Sequence, residues 1–405
     1  MARLPVEGVR VTDFTWIGAG SYATKILADF GADVVKIESE RRLDSLRLAA
    51  PYKDGVKGVN RSGYFADRNT SKRSMTLDMK HPKALGLASK LIAQSDIIAN
   101  NFTPGVMERF GLDYDSVRLL KPDIIYLNMS MNGNSGPERG YLGYGSSMAS
   151  VTGLQHLTGL PGRIPAGTGT NYPDHVPNPC HAAFAVLAAL RHRRRTGEGQ
   201  LIDMAQTEPT IALLGPAVLD FTVNGRVQEP RGNEHPDAAP HGVYRCSGDD
   251  RWIAICAMSD AHWRALRQTL GDPEWMRDQA YDRASGRMAH RAAIDAKLNG
   301  ETVRWAPENL TVALQACGVP AGLVATAADV TRDPQLSHRG HWVTLDHPEM
   351  GKSLYNAPPF RCSRTPVALS RPAPLLGQHT DEVCRELLGL SEREIAALRA
   401  DGVLT

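Results

Sequence analysis

VRVTDFTWIGAGSYATKILADFGADVVKIE, residues 9–38, is the stretch that decides the fold. Residues 9–15 alternate apolar and polar side chains, the pattern of a strand. A glycine turn follows, then a helical run around residues 21–30. Residues 32–38 read as a second strand, with Val34, Val35 and Ile37 apolar. Strand, helix and strand in this order make a βαβ unit, which implies α/β architecture and a parallel sheet covered by helices. Further strands are expected at residues 74–78, 96–101, 123–129 and 201–204. Helices are expected at 81–94, 106–110 and 114–120. Residues 39–73 are polar and irregular, too long for an ordinary connection, and such loops usually serve function or cover a neighbour. Residues 132–145 form a glycine-rich loop.

The pattern changes after Ala205. Residues 207–223 read as helix, and 224–242 are dense in Gly, Pro and His, as a link between domains would be. Residues 242–257 read as a hairpin turning at Gly248-Asp249-Asp250. Short helices run to about residue 315. The expected domains are therefore 1–205, a linker helix 206–224, a small domain 225–325, and a C-terminal segment 326–405. That last segment carries strands near 342–345 and one charged amphipathic helix over 381–399.

Across 405 residues, 46 Lys and Arg oppose 44 Asp and Glu, a net charge of +2 that argues against a nucleic-acid-binding surface. None of the six cysteines forms a CxxC pair, so neither a metal site nor a disulfide framework is indicated, and the thiols read as reduced and cytoplasmic. The first residues lack the apolar core of a signal peptide, and no apolar run reaches membrane-spanning length, so no membrane partner is expected.

The second informative stretch is residues 169–203, GTNYPDHVPNPCHAAFAVLAALRHRRRTGEGQLID. Asp174 lies in a loop of Asn, Pro and Tyr. Asn178 and Pro179 suit the N-cap and first position of a helix. Residues 182–190 have no polar face, which predicts a helix buried on all sides. Asp174 would sit just ahead of that helix, where the dipole favours an anion. Arg191, Arg193, Arg194 and Arg195 stand at its far end, where positive charge is favourable. Gly18-Ala19-Gly20-Ser21-Tyr22-Ala23 tempts a dinucleotide-site reading, with Glu38 placed to bind a ribose. Trp16 and Ile17 separate the strand from the first glycine, however, and Asp13 occupies a usually apolar place. A tight strand-to-helix turn is the better reading, and a nicotinamide-dependent dehydrogenase the weaker one.

Five ordered motifs, at residues 27–38, 69–78, 101–112, 193–200 and 374–380, resemble the class III coenzyme A transferases, the formyl-CoA and carnitine CoA-transferase group whose superfamily includes α-methylacyl-CoA racemase. The resemblance spans nearly the whole chain. It implies a large Rossmann-like domain to which the C-terminal segment returns, a smaller α+β domain, and two subunits interlocked as linked rings. It implies acyl-CoA and a carboxylic acid as substrates, with coenzyme A as substrate and no permanently bound cofactor or metal. The family's catalytic aspartate falls on Asp174. An ungapped alignment would place His175 there, but the chemistry needs a carboxylate. The coenzyme A contacts implied by position are Trp16, Gly18, Leu77, Lys80, Asn101, Phe102, Thr103, Arg109, Ser130 and Asn132. Lys72 and Arg73 join them as electrostatic partners for phosphate.

The resemblance leaves two chemistries. Racemases need an acid–base pair, and the place of their histidine is Tyr144 here. A phenol with pKa near ~10 is a poor base at neutral pH. Transferases need one carboxylate, and an aspartate of reference pKa near ~3.9 is ionised without help. The transferase reading is favoured, with the racemase as the alternative. A glycine run of the oxalate-type enzymes is missing, and Gly18 stands where formyl-CoA transferase has a substrate-contacting glutamine. Both departures speak against formyl and oxalate. Arg139, His235 and His241 are candidates to meet the second carboxylate of a donor such as succinate.

Overall fold

The structure is a computed structural model that describes residues 4–405 apart from 366 and 368. The chain divides into two compact units. One comprises the chain up to His156, Gly167–Gln228 and Gln335–Thr405; the other comprises Leu157–Ala166 and Glu229–Pro334. The inclusion of Leu157–Ala166 in the second unit was not legible in its sequence.

The first unit is built on six strands: β1 (Arg10–Asp13), β2 (Asp33–Glu38), β3 (Arg73–Thr76), β4 (Ile97–Asn100), β5 (Ile125–Asn128) and β6 (Gln200–Asp203). They pair in the order β3-β2-β1-β4-β5-β6, all parallel. Helices cover both faces, so the inner strands are apolar on both sides. Val35, Met75 and Ile98 enter one core with Leu87, Leu91 and Val383. Val34, Val11 and Ile97 enter the other with Leu27, Val186 and Leu190. The C-terminal segment packs beside β3: Thr380 Oγ1 accepts the Thr76 N–H at 3.0 Å, and the His379 N–H donates to the Ser74 carbonyl at 2.9 Å. This unit also holds the antiparallel pair β10 (Trp342–His347) and β11 (Gly351–Asn356). The second unit carries the antiparallel sheet β7 (His241–Arg245), β8 (Trp252–Cys256) and β9 (Ala321–Leu323) over a core around Trp263, Ile253 and Leu310. No helix among the described residues is long and apolar enough to cross a membrane.

Several local expectations are corrected. The first helix spans Ile17–Asp29, so Gly18 and Gly20 lie in its first turn rather than ahead of it. Residues 39–73 contain 3-10 turns and a helix, Gly63–Arg68. The long helix begins at Pro177; Asn178 is fully buried and donates to Gln206 Oε1 at 3.3 Å instead of capping. Phe184 is 73% exposed and Leu187 is exposed as well, so this helix is not buried on all sides. Residues 207–223 form two helices, Thr207–Ala212 and Gly215–Asn224, and the C-terminal helix is likewise two, Thr380–Glu386 and Glu392–Ala400. Of the arginines, Arg193 pairs with Asp96 at 2.7 Å and Asp123 at 2.8 Å, tying the helix end to the loops before β4 and β5.

Four charged side chains, Asp13, Lys36, Asp44 and Lys72, are fully buried under the first helix. Lys72 Nζ lies 3.1 Å from Asp13 and Lys36 Nζ 3.0 Å from Asp44. Burial works against both carboxylate and ammonium. For Asp13 the cations Lys72 and Lys36 outweigh it and hold the carboxyl below its usual range, whereas burial brings Lys72 down to about 8. Removing one partner leaves the other charge uncompensated. Lys72→Met is expected to lower unfolding stability by about 3–5 kcal/mol, read from the urea midpoint; an unchanged midpoint would contradict a structural role for this lysine.

Candidate active site

In a sheet of this strand order, β1 and β4 leave in opposite directions, which opens a crevice at their carboxyl ends. The backbone leaving β1 builds one wall. Trp16 is extended and Ile17 is left-handed, with φ 60°, a conformation that a β-branched residue adopts only under constraint. The constraints are visible. Asp44 Oδ1 accepts the Ile17 N–H at 3.1 Å, and Lys36 Nζ donates to the Thr15 carbonyl at 2.5 Å. From the β4 side, Asn101 brackets Trp16: its Oδ1 accepts the Trp16 N–H at 2.8 Å and its Nδ2 donates to the Trp16 carbonyl at 2.7 Å. Phe102 meets the Trp16 ring edge-on at 5.4 Å.

Asp174 closes the crevice from above. It sits in a short helical turn, Tyr172–His175, and is 4% exposed. Two glycines make room for it. A Cβ on Gly18 would lie 2.8 Å from Asp174 Cβ, and one on Gly145 would lie 2.8 Å from Asp174 Oδ2. Burial pushes the Asp174 pKa up to about 6, opposed by the backbone N–H of Gly145 and the Arg68 guanidinium. The backbone group that favours the anion thus belongs to the start of the Gly145–Val151 helix, not to the helix after Asp174. His175 turns elsewhere, its Nε2 2.8 Å from the Tyr64 hydroxyl. Burial and Arg68 bring His175 down to about 4.

Asp174 faces the smaller of two adjoining cavities. The first, about 380 Å³, is lined by Asp174, Trp16, Gly18, Asn101 and Gln206 among others. The second, about 630 Å³, is lined by Leu77, Lys80, Arg109 and Phe110 among others. Trp16, Arg42, Phe102, Thr103 and Leu142 line both, so the two form one crevice.

The structure sorts the expected site residues. Trp16, Gly18, Leu77, Lys80, Asn101, Phe102, Thr103, Arg109 and Asp174 line the crevice. Lys72 does not: its ammonium is enclosed by Asp13, Thr24, Asn69 and the Ser21 carbonyl. Arg73 does not either, because Asp33, Glu382 and Glu386 hold its guanidinium. Ser130 is buried and lines neither cavity; Asn132 accepts from the Thr207 hydroxyl at 3.3 Å and is likewise outside both. Arg139 is exposed and absent from both linings. Glu38 is held at both oxygens by Arg47, at 2.8 and 2.7 Å, and by the Ser74 hydroxyl, so its carboxylate is not offered to a ribose. Gly18 serves Asp174 rather than a pyrophosphate, and the dinucleotide reading loses both supports. Arg41, Arg42, Gln206 and Gly145 were missed. The arginines had a signal, being adjacent cations just past the carboxyl end of a parallel strand. Gly145 had none, since its role depends on a partner distant in sequence.

The match to CoA-transferase family III covers residues 6–380. The chain belongs to that family. It is 32% identical over 401 residues to succinyl-CoA–D-citramalate CoA-transferase of Chloroflexus aurantiacus, covering 99% of this chain and 98% of that one. It is 31% identical to succinate–glutarate CoA-transferase of Agrobacterium fabrum, covering 95% and 96%. Among solved structures, a CAIB/BAIF family protein from Brucella suis superposes with a TM-score of 0.87 at 31% identity, covering 95% of this chain and 100% of that one. The protein is therefore an enzyme that transfers coenzyme A between acyl-CoA thioesters and carboxylic acids.

The clamp on Asp174 is open to test in this transferase. Gly145→Ala places a methyl against the carboxylate and is expected to cut kcat by about 100-fold or more, the effect of a misplacement of about 1 Å. Circular dichroism should show the fold retained. Full activity would show that the carboxylate tolerates a different position.

Proposed function

We propose that Asp174 is the nucleophile through which this transferase carries coenzyme A. The observation that carries the reading is a single buried carboxylate in the smaller chamber, its ionised form favoured by the Gly145 backbone N–H, with no other acid in that chamber among the described residues. The ionised carboxylate attacks the donor thioester carbonyl, and the C–S bond breaks to give an acyl-aspartyl anhydride and CoA thiolate. The thiolate attacks the aspartyl carbonyl and expels the donor acid, leaving an aspartyl-CoA thioester. The acceptor carboxylate attacks that thioester and releases the thiolate, which then takes the acceptor acyl group and restores the carboxylate. Each tetrahedral intermediate needs fixed donors at its oxyanion, and backbone N–H groups beside Asp174 can supply them. No histidine lines either chamber among the described residues, and Tyr144 stands at the place a racemase gives to one. This favours the transferase over the racemase.

The donor is proposed to be a dicarboxylic acyl-CoA, since the relatives named above act on succinyl and glutarate groups. The active form is proposed to be an interlocked homodimer. In support, the Gly215–Asn224 helix exposes Leu219, Phe221 and Val223, more apolar side chain than an isolated surface usually carries.

Asp174→Asn should abolish transfer while leaving the fold intact. Hydroxylamine or borohydride applied to wild type with donor acyl-CoA should modify residue 174; modification elsewhere would remove the assignment. Because attack requires the ionised carboxylate, kcat/KM should fall as pH drops through about 6, the raised value of Asp174. A profile flat down to the ordinary aspartate range, near ~4, would contradict it.

A further inference from the structure

The first chamber holds one unpaired cation. Arg42 lines it together with Asp174 and is the one basic side chain among its described lining residues. Its neighbours are committed: Arg41 Nη1 lies 3.2 Å from Asp78, and Arg47 pairs with Glu38 at 2.7 Å. The Arg42 guanidinium has no carboxylate partner among the described residues. Its contact is the face of Trp16, 5.3 Å from the ring centroid. Stacking on an indole orients a guanidinium and leaves its N–H edge free for a planar anion. The platform is itself fixed, because Asn101 brackets the Trp16 backbone and Phe102 packs on its ring.

Electrostatics says what this cation is for. Catalysis as proposed brings an acyl group against an ionised Asp174. A second carboxylate on that group is repelled by Asp174 in a chamber of reduced dielectric unless a cation compensates it. Phosphates have other cations: Lys80 and Arg109 line the second chamber and not the first. We infer that Arg42 is the specificity-determining residue that binds the distal carboxylate of a dicarboxylic acyl group. This rests on the coenzyme A transfer through Asp174 proposed above.

The test compares succinyl-CoA with butyryl-CoA, donors of equal chain length that differ at the distal carboxylate. Wild type should prefer succinyl-CoA. In Arg42→Met the ratio of the two kcat/KM values should fall about 10- to 100-fold, the worth of a hydrogen bond between charged groups, and Arg42→Lys should keep part of it. An unchanged ratio with both donors weakened equally marks a phosphate contact and overturns the inference, as does a wild-type preference for butyryl-CoA. Calorimetric titration of glutarate and butyrate into both proteins reads the contact without turnover. Glutarate affinity lost in Arg42→Met supports the assignment even if Asp174 proves not to be the nucleophile. Equal glutarate affinity in both proteins overturns it.

Discussion

The site depends on a buried ionic lattice that never touches the crevice. Asp13 accepts hydrogen bonds from the Thr15 N–H and hydroxyl and from Thr24, and pairs with Lys72. Lys36 reaches the Thr15 carbonyl and Asp44, and Asp44 takes the Ile17 N–H. Charged side chains thus hold the Thr15 N–H, the Thr15 carbonyl and the Ile17 N–H where the chain turns from β1 into the first helix, and Asn101 holds the Trp16 groups between them. Strain of about 1–3 kcal/mol at a left-handed residue persists only when its surroundings over-determine it, and here they do. The consequence is positional. With Ile17 locked, Gly18 is pressed against Asp174 and Trp16 is turned toward the crevice. A less expensive apolar filling would pack as well, but it would not fix three successive peptide groups.

The lattice also explains why two plausible phosphate ligands are not ligands. Lys72 and Arg73 lie beside the motif at residues 69–78 and look available in one dimension. In the fold Lys72 precedes β3 and Arg73 opens it, and both are buried. A fully buried lysine must find an acid, and Asp13 at the end of β1 supplies it. The cations that line the crevice come instead from segments past the strand ends, as Arg42, Lys80 and Arg109 do.

Much of the architecture was legible because periodicity reports burial directly. The βαβ opening, the strand sequence and the hairpin of β7 and β8 follow from alternation and turn residues. That Asp174 lines the crevice was anticipated from its place in a proline-rich loop just ahead of a long helix. Other features were not legible, since they arise between distant residues. Asn178 has the side chain of a cap, yet Gln206 claims it. Gly145 has the sequence of any loop glycine, yet its N–H favours the ionised Asp174. Phe184 and Leu187 belong to an apolar run, but the core on that face of the sheet takes only one side of that helix.

The raised pKa of Asp174 looks at first like a handicap for the proposed nucleophile, which must be ionised. It is better understood through the symmetry of the proposed exchange. There the carboxylate is nucleophile in one step and leaving group in its reverse, and the groups it trades with are themselves carboxylates. An aspartate held far below its usual value by a salt bridge would be a weak nucleophile and would leave too readily from the anhydride. Burial without a direct ion pair raises the Asp174 pKa to about 6, a value that would suit the proposed attack while leaving it largely ionised at neutral pH. That balance requires the nearest cation to stand off from the carboxylate. Arg68 acts through space from behind, and Arg42 stacks on Trp16 rather than pairing with Asp174.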